Sequence, residues 1–376
     1  MKVALHVDQL WFSSPGGIGT YVWELSGALE ARPNDVELVE FRTKWRSGPP
    51  QARLRADPII TVSVPPKVAY AGWASIRRPH LPHRLDDAAV VHAPNPATIP
   101  PVRRGQSLVV TVHDLSFEDQ PEAFPGRWLR LYRRGLEIAR DEAAAILAPS
   151  SYVADRMGDR GIDDGRVHVT PLAGRPSPVP APALAAEAIV ERLGIVGPYV
   201  LSVGTFEPRK NLARLVRAYR RAVAEQGLPH TLVLAGHPGW RTDDLDAAIA
   251  AGGPGRIERI LSVGDGALDA LYRAADAFAY VSMSEGFGMP VLEAMGRGTP
   301  VIASSTTSIP EVAGDAAVLV DPLDEPAIAD AQLRVLTDEP LARDLRTRGF
   351  ERAARFTWDR TATATLQAYR LARECR

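Results

Sequence analysis

Short apolar, β-branched runs recur along the chain, separated by stretches with helical spacing. Before residue 171 these runs predict strands at Val3–Val7, Val36–Phe41, Ile59–Val64, Ala89–His92, Leu108–His113, Ala144–Ala148 and Val167–Val169. Later runs predict strands at Tyr199–Val203, Thr231–Ala235, Ile257–Val263, Ala277–Val281, Val301–Ala303 and Ala317–Val320. Helical spacing between them covers Ile18–Leu29, Trp128–Arg140, Leu212–Glu225, Ala267–Arg273 and Pro290–Arg297, and the tail from Pro340 is helical with a break near Phe356–Asp359. Strands that are apolar throughout and alternate with helices imply parallel sheets covered on both faces. The sharpest break is Pro171–Pro182, with five prolines in twelve residues, where fixed φ angles and missing N–H groups favour an extended connection. The expected fold class is therefore α/β with two doubly wound domains, 1–175 and 197–356, on either side of a linker over 176–196. In such sheets ligands sit at the carboxyl ends of strands, which makes the cleft between two facing sheets the default site.

Composition narrows the function classes. The 376 residues carry 44 Lys+Arg against 45 Asp+Glu, and a net charge of −1 argues against a dedicated nucleic-acid binder. The single cysteine, Cys375, excludes an internal disulfide, and no Cys/His cluster has zinc spacing. The amino terminus is too short in apolar residues for a signal sequence, and no apolar run is long enough to span a bilayer, so the expected location is cytoplasmic. Basic residues outnumber acidic ones eleven to three within 41–104. Arginines and aromatics interleave over Arg127–Arg134, a pattern that suits an anionic acceptor or the inner face of a membrane but also an ordinary solvated helix face.

Three segments carry chemistry. Gly16 and Gly17 follow the first strand and precede a helix, where backbone N–H groups can approach a phosphate, although Val22 stands where a dinucleotide fingerprint has its third glycine. Gly204 closes the first strand of the second half, and Arg209 and Lys210 follow at a helix start. Two cations there oppose the helix dipole unless an anion lies between them. Tyr280 to Met295 reads as strand, glycine loop and helix. Glu285 lies in the loop, Gly286, Phe287, Gly288 and Met289 lead into the helix at Pro290 and Val291, and Glu293 falls one turn inside. The glycine loop suits a diphosphate, and a carboxylate one turn into the helix can accept both hydroxyls of a ribose. In the first half, His113 ends an apolar strand, where an imidazole can act on a ligand or simply anchor a loop. Asp244 and Asp246 resemble a metal motif but open a helix, where acidic residues are ordinary.

The combination of Gly204–Leu212, Ser284–Met295 and Ile309–Pro322 closely resembles the retaining glycosyltransferases of family 4. The resemblance implies a GT-B fold, with two Rossmann-like domains and a carboxy-terminal helix (357–376) that rejoins the first. It also implies transfer of a hexose, mannose by first expectation, from a GDP- or UDP-linked sugar to a glycan, lipid-linked or small-molecule acceptor, as in polysaccharide biosynthesis. Carried onto this chain, Glu285 and His113 would act at the donor sugar, Glu293 would hold the ribose, and Arg209 and Lys210 would neutralise the diphosphate. Gly16 and Gly17 would close on the donor, and no metal or other cofactor would be needed. Pro171–Gly174 departs from the Asn-Gly pair of many relatives, which bears on hinge contacts and leaves the donor site alone. A sugar-nucleotide epimerase or hydrolase, or a non-catalytic sensor of nucleotide sugars, would share the architecture.

Overall fold

The computed structural model describes residues 1–46, 48, 59–162, 164–177 and 183–374. Cys375 and most of the proline run after Ser177 lie outside the described residues. The chain divides into two units, one of Met1–Leu172 with Trp358–Arg376, the other of Ala173–Thr357.

In the first unit β1 (Lys2–His6), β2 (Glu37–Arg42), β3 (Ile60–Thr61), β4 (Val90–Ala93), β5 (Ser107–Thr111), β6 (Ala145–Ala148) and β7 (Val167–Val169) form one sheet in the order 3-2-1-4-5-6-7. In the second, β8 (Tyr199–Val203), β9 (Thr231–Gly236), β10 (Arg256–Leu261), β11 (Ala277–Tyr280), β12 (Val301–Ser304) and β13 (Ala317–Val320) lie in the order 10-9-8-11-12-13. Every pairing is parallel. The strand order reverses between β1 and β4 in one unit and between β8 and β11 in the other, so each sheet has its own switch point.

The stretch expected as linker is not all linker. Residues Ala183–Arg192 form a helix that belongs to the second unit, packs on the helix Asp265–Ala274 and buries Ala186 and Val190. Its alanine-rich sequence favours helix once the prolines end. Strand β3 is also shorter than its apolar run suggests, pairing only through Phe41–Ile60 and Arg42–Thr61.

Residue alternation along β11 shows how the second core is divided. Ala277 and Ala279 face the apolar cluster built with the helices Leu212–Gln226 and Glu325–Thr337. Phe278 and Tyr280 face the other way, with Phe278 at 5.4 Å from the Tyr272 ring and 5.8 Å from the Tyr280 ring. The small residues let two helices approach one side; the large rings fill the other.

The first unit is completed by the helix Trp358–Glu374, whose Tyr369 lies against the sheet. Its hydroxyl is 2.7 Å from Nδ1 of the buried His92, whose Nε2 is 2.7 Å from Thr111 Oγ1. Thr111 Oγ1 in turn lies 2.9 Å from the Tyr21 hydroxyl. Both ring nitrogens of His92 are thus engaged by neutral groups. Burial holds its pKa down to about 3, with His113 adding to the effect. The folded pKa lies below the ordinary 6.5, so the unfolded chain takes up this proton first as pH falls. Stability is therefore full above about pH 6.5 and declines below it, by about 1.4 kcal/mol per pH unit for this one group. Replacing His92 with Gln, which keeps donor and acceptor capacity without titrating, is expected to flatten the fall of the unfolding midpoint between pH 6.5 and 4, measured by urea titration at each pH.

Candidate active site

At the switch point of the second sheet, the segment after β8 meets the segment after β11. Pro208–Lys210 makes one tight turn, and Asn211 adopts φ 58° before the helix Leu212–Gln226 begins. Asparagine tolerates the left-handed region better than other non-glycine residues. Its side chain secures the turn by donating to the carbonyls of Val281 at 3.0 Å and Pro322 at 2.7 Å.

This turn aims both cations at Glu285. Arg209 Nη1 donates to Glu285 Oε2 and to the Ser284 carbonyl, each at 2.7 Å, and Nη2 donates to Glu207 at 2.7 Å. Lys210 Nζ donates to Glu285 Oε1 at 2.6 Å and to the Tyr280 hydroxyl at 2.8 Å, and that hydroxyl donates to the same carboxylate oxygen at 2.8 Å. The anion expected between the two cations is thus the chain's own carboxylate. Burial would raise the Glu285 pKa, but Arg209 and Lys210 outweigh it and hold the group at about 2. Lys210 is pushed below its ordinary value by burial and by Arg209, with Glu285 and Glu207 opposing.

The loop carrying Glu285 is anchored from behind by the segment that follows β12. Thr307 Oγ1 accepts from the Glu285 N–H at 3.2 Å, and Ser308 Oγ donates to the Glu285 carbonyl at 2.9 Å. Gly288 has φ 96°, a conformation that favours glycine, and opens the helix Met289–Met295 with Pro290 at its second position. Phe287 and Val291 are buried, Phe287 packing edge-on against Phe356 with ring centroids 5.8 Å apart. Their side chains contribute to packing rather than to a contact surface.

Glu293 has a separate set of partners. It is buried, and its carboxylate accepts from the Tyr272 hydroxyl at 2.9 Å and from the Arg175 N–H at 3.2 Å. Gly174 presses on its backbone so closely that an added Cβ would lie 3.1 Å from the Glu293 nitrogen. The departure at Pro171–Gly174 therefore does not concern a hinge alone: its last residue packs on the backbone of the residue that carries the second carboxylate. The row Tyr272–Phe278–Tyr280 runs between the two acidic residues, with Tyr272 on Glu293 and Tyr280 on Glu285.

The first-half candidates lie in the other unit. The helix Gly16–Glu30 begins at Gly16 itself, with φ 60°, so Gly16 and Gly17 form its first turn. His113 is half-buried beyond β5, and its Nε2–H donates to the Pro94 carbonyl at 3.0 Å. Its ring packs edge-on to Tyr21, 4.7 Å away, and burial lowers its pKa to about 4 against the pull of Asp114. It is a neutral imidazole with Nδ1 as its acceptor. Among the described residues no group of three or more His, Cys, Asp or Glu side chains is arranged to hold a metal, and no helix is long and apolar enough to cross a membrane.

Two family descriptions match the chain in succession, Glycosyltransferase Family 4 over residues 15–173 and Glycosyl transferases group 1 over residues 189–352. O-antigen chain mannosyltransferase B of Escherichia coli is 34% identical over 297 residues, which cover 78% of this chain and 72% of that protein. The chain is a family 4 glycosyltransferase. MMP alpha-(1->4)-mannosyltransferase of Mycolicibacterium hassiacum is 26% identical over 399 residues, covering 94% of each protein. Among solved structures, sucrose-phosphate synthase of Thermosynechococcus elongatus superposes with a TM-score of 0.72 over 98% of each chain at 21% identity, a likeness of fold. The two Rossmann-like units are those of the GT-B architecture.

In this glycosyltransferase, the sequence singles out Arg209, Lys210, Glu285 and Glu293 but not the residues that hold them: Glu207, Tyr280, Asn211, Thr307 and Ser308 around Glu285, and Tyr272 with Arg175 at Glu293. Glu207 lies two residues before Arg209, and its acidity beside a basic pair was the one readable signal. Replacing Glu285 with Gln leaves two buried cations beside an amide, at a cost of about 3–5 kcal/mol. The folded pKa of Glu285 is depressed, so this cost is expected in full above the usual carboxylate range and to shrink as pH falls toward 2. Urea midpoints of the glycosyltransferase and its Glu285→Gln variant across that range check it.

Proposed function

We propose that this glycosyltransferase moves mannose from GDP-mannose to a hydroxyl of a glycan acceptor, with retention of anomeric configuration and without a metal ion. The observation that carries the reading is the buried Glu207–Arg209–Glu285–Lys210 cluster at the β8/β11 switch point. The named activities of the mannosyltransferase relatives support the choice of sugar.

Chemically, the reaction breaks the bond from the sugar C1 to the β-phosphate oxygen and forms one from C1 to the acceptor oxygen. The acceptor proton passes to the departing diphosphate. Arg209 and Lys210 supply fixed positive charge where negative charge grows, a role otherwise filled by a divalent ion. Glu285 is ionised at neutral pH, so it has no proton to donate, and both its oxygens are committed to cations. That favours same-face departure and attack through an oxocarbenium-like state over covalent capture by Glu285. Glu293 would exchange its bonds from Tyr272 and Arg175 for those of the ribose hydroxyls. The neutral His113 can accept from a sugar hydroxyl through Nδ1.

Lys210→Ala is expected to lower kcat about 10²–10³-fold, as loss of one positioned electrostatic donor does. GDP should raise the melting temperature more than UDP at equal concentration, since a ligand of the folded state stabilises by mass action. The product anomer read by proton NMR should match the donor, and turnover should survive EDTA. A larger shift with UDP, an inverted product or a chelator-sensitive rate would overturn the corresponding part of the reading.

A further inference from the structure

Of the 44 basic residues in the chain, four are lysines: Lys2, Lys44, Lys67 and Lys210. Lys44 and Lys67 are exposed, and Lys2 keeps 20% of its side chain in solvent against 11% for Lys210. The least exposed of these positions therefore holds a cation that is hard to bury, since an ammonium is more strongly hydrated than a guanidinium. Its surroundings explain the choice. A Cβ at Gly204 would lie 3.3 Å from Lys210 Cε and 3.5 Å from Cδ, so the stem runs directly over the glycine backbone. The centre of the Tyr280 ring stands 5.0 Å from Nζ. A point charge on a slim stem suits this space better than a planar fork.

At the end of that stem the hydrogen bonds close a triangle. Lys210 Nζ donates to Glu285 Oε1 at 2.6 Å and to the Tyr280 hydroxyl at 2.8 Å, and the hydroxyl donates to the same Oε1 at 2.8 Å. An ammonium has donors only, so the hydroxyl oxygen must accept from it and the phenolic proton must go to the carboxylate. Two of the three ammonium N–H groups therefore straddle one edge of the triangle. The third turns away from Glu285 and meets no acceptor among the described residues.

The hydroxyl decides where that third N–H points. Held by Glu285 alone, the ammonium could turn about a single bond, and its remaining donors would sweep a cone. A second acceptor beside the first removes this freedom. Tyr280 is well suited to the task because it is itself fixed: it is the last residue of β11, it is buried, and its ring stacks on Phe278 at 5.8 Å with 19° between the planes. The aim of Lys210 is thus set by a strand of the sheet as well as by the loop that carries Glu285. Donors placed in advance of the reaction need no reorganisation when charge develops.

We infer that Tyr280 is a positioning residue for Lys210: its hydroxyl stops the ammonium from turning about the Glu285 oxygen, so that the remaining N–H faces the leaving diphosphate before a donor binds. The inference rests on the diphosphate role proposed above for Lys210 and names the group that directs it.

The full chain is labelled with lysine enriched in heavy nitrogen, and the side-chain ammonium signals are read by NMR, with Lys210→Ala identifying the one that belongs to Lys210. In the wild type this signal is expected to be sharper than those of Lys44 and Lys67, because a doubly bonded ammonium trades its protons slowly with water, and to move when GDP is added. Tyr280→Phe keeps the ring and removes one oxygen. It should speed proton exchange at Lys210 about tenfold or more, whereas Tyr272→Phe, the same deletion beside Glu293, should leave the Lys210 signal as it is. GDP release from GDP-mannose, with water as acceptor, should fall about tenfold or more in kcat in Tyr280→Phe while KM stays within about twofold. The inference is overturned by a wild-type Lys210 signal as broad as those of Lys44 and Lys67, which needs no variant to fold. An unchanged signal in Tyr280→Phe, equal broadening in Tyr272→Phe or a loss confined to KM would overturn it as well. A wild type that neither releases GDP nor shifts its Lys210 signal with GDP would overturn the donor reading, and the exchange rate in Tyr280→Phe would still decide whether the hydroxyl holds Lys210.

Discussion

A carboxylate removed from water must be paired, and the second unit is organised around one such pairing. Glu285 receives Arg209 on one oxygen and Lys210 with Tyr280 on the other, while Glu207 restrains the far side of Arg209. Moving any of these side chains would leave a buried charge uncompensated, a much larger penalty than the loss of an ordinary contact. The loops after β8, β11 and β12 are therefore mutually constrained, and a shift in one must be answered in the others.

The same pairing bears on the proposed reaction. An electrostatic site works when its charges are already placed and need no rearrangement during the reaction. Here two carboxylates are matched against two cations, so the cluster is close to neutral. In the proposed reaction, its value to a leaving diphosphate would lie in the fixed placement of the ammonium and guanidinium groups. Lys210 is held in place by two bonds, to Glu285 and to the Tyr280 hydroxyl that donates to the same carboxylate oxygen.

The fold was legible because it is written in local patterns. Each of the thirteen described strands overlaps a run expected from the sequence, although β2 and β10 are half charged, and the expected helices follow apolar periodicity. Glycines, cations and acids around the second switch point were legible for a similar reason: residue types with special electrostatic or conformational requirements cluster within short segments. What could not be read was partnership across distance. Tyr280 looks like one more apolar strand residue until its hydroxyl meets Glu285, and Thr307 looks like loop until it faces the Glu285 backbone. The proline run disguised the helix Ala183–Arg192, since an abrupt return to alanine-rich sequence is easily read as continuation of the linker. Likewise Gly174 shows its contact with Glu293 only once the chain is folded.

The helix Trp358–Glu374 belongs to a unit whose other residues are translated long before it. His92 and Ser107, from the first hundred or so residues, wait for Tyr369 and the Ala372 carbonyl. During synthesis the amino-terminal sheet must therefore emerge with one flank uncovered and keep it uncovered until the ribosome has finished the second unit. A nascent chain of this enzyme spends most of its elongation as a half-clad intermediate, and a premature stop in the distal gene segment would cripple the portion made first.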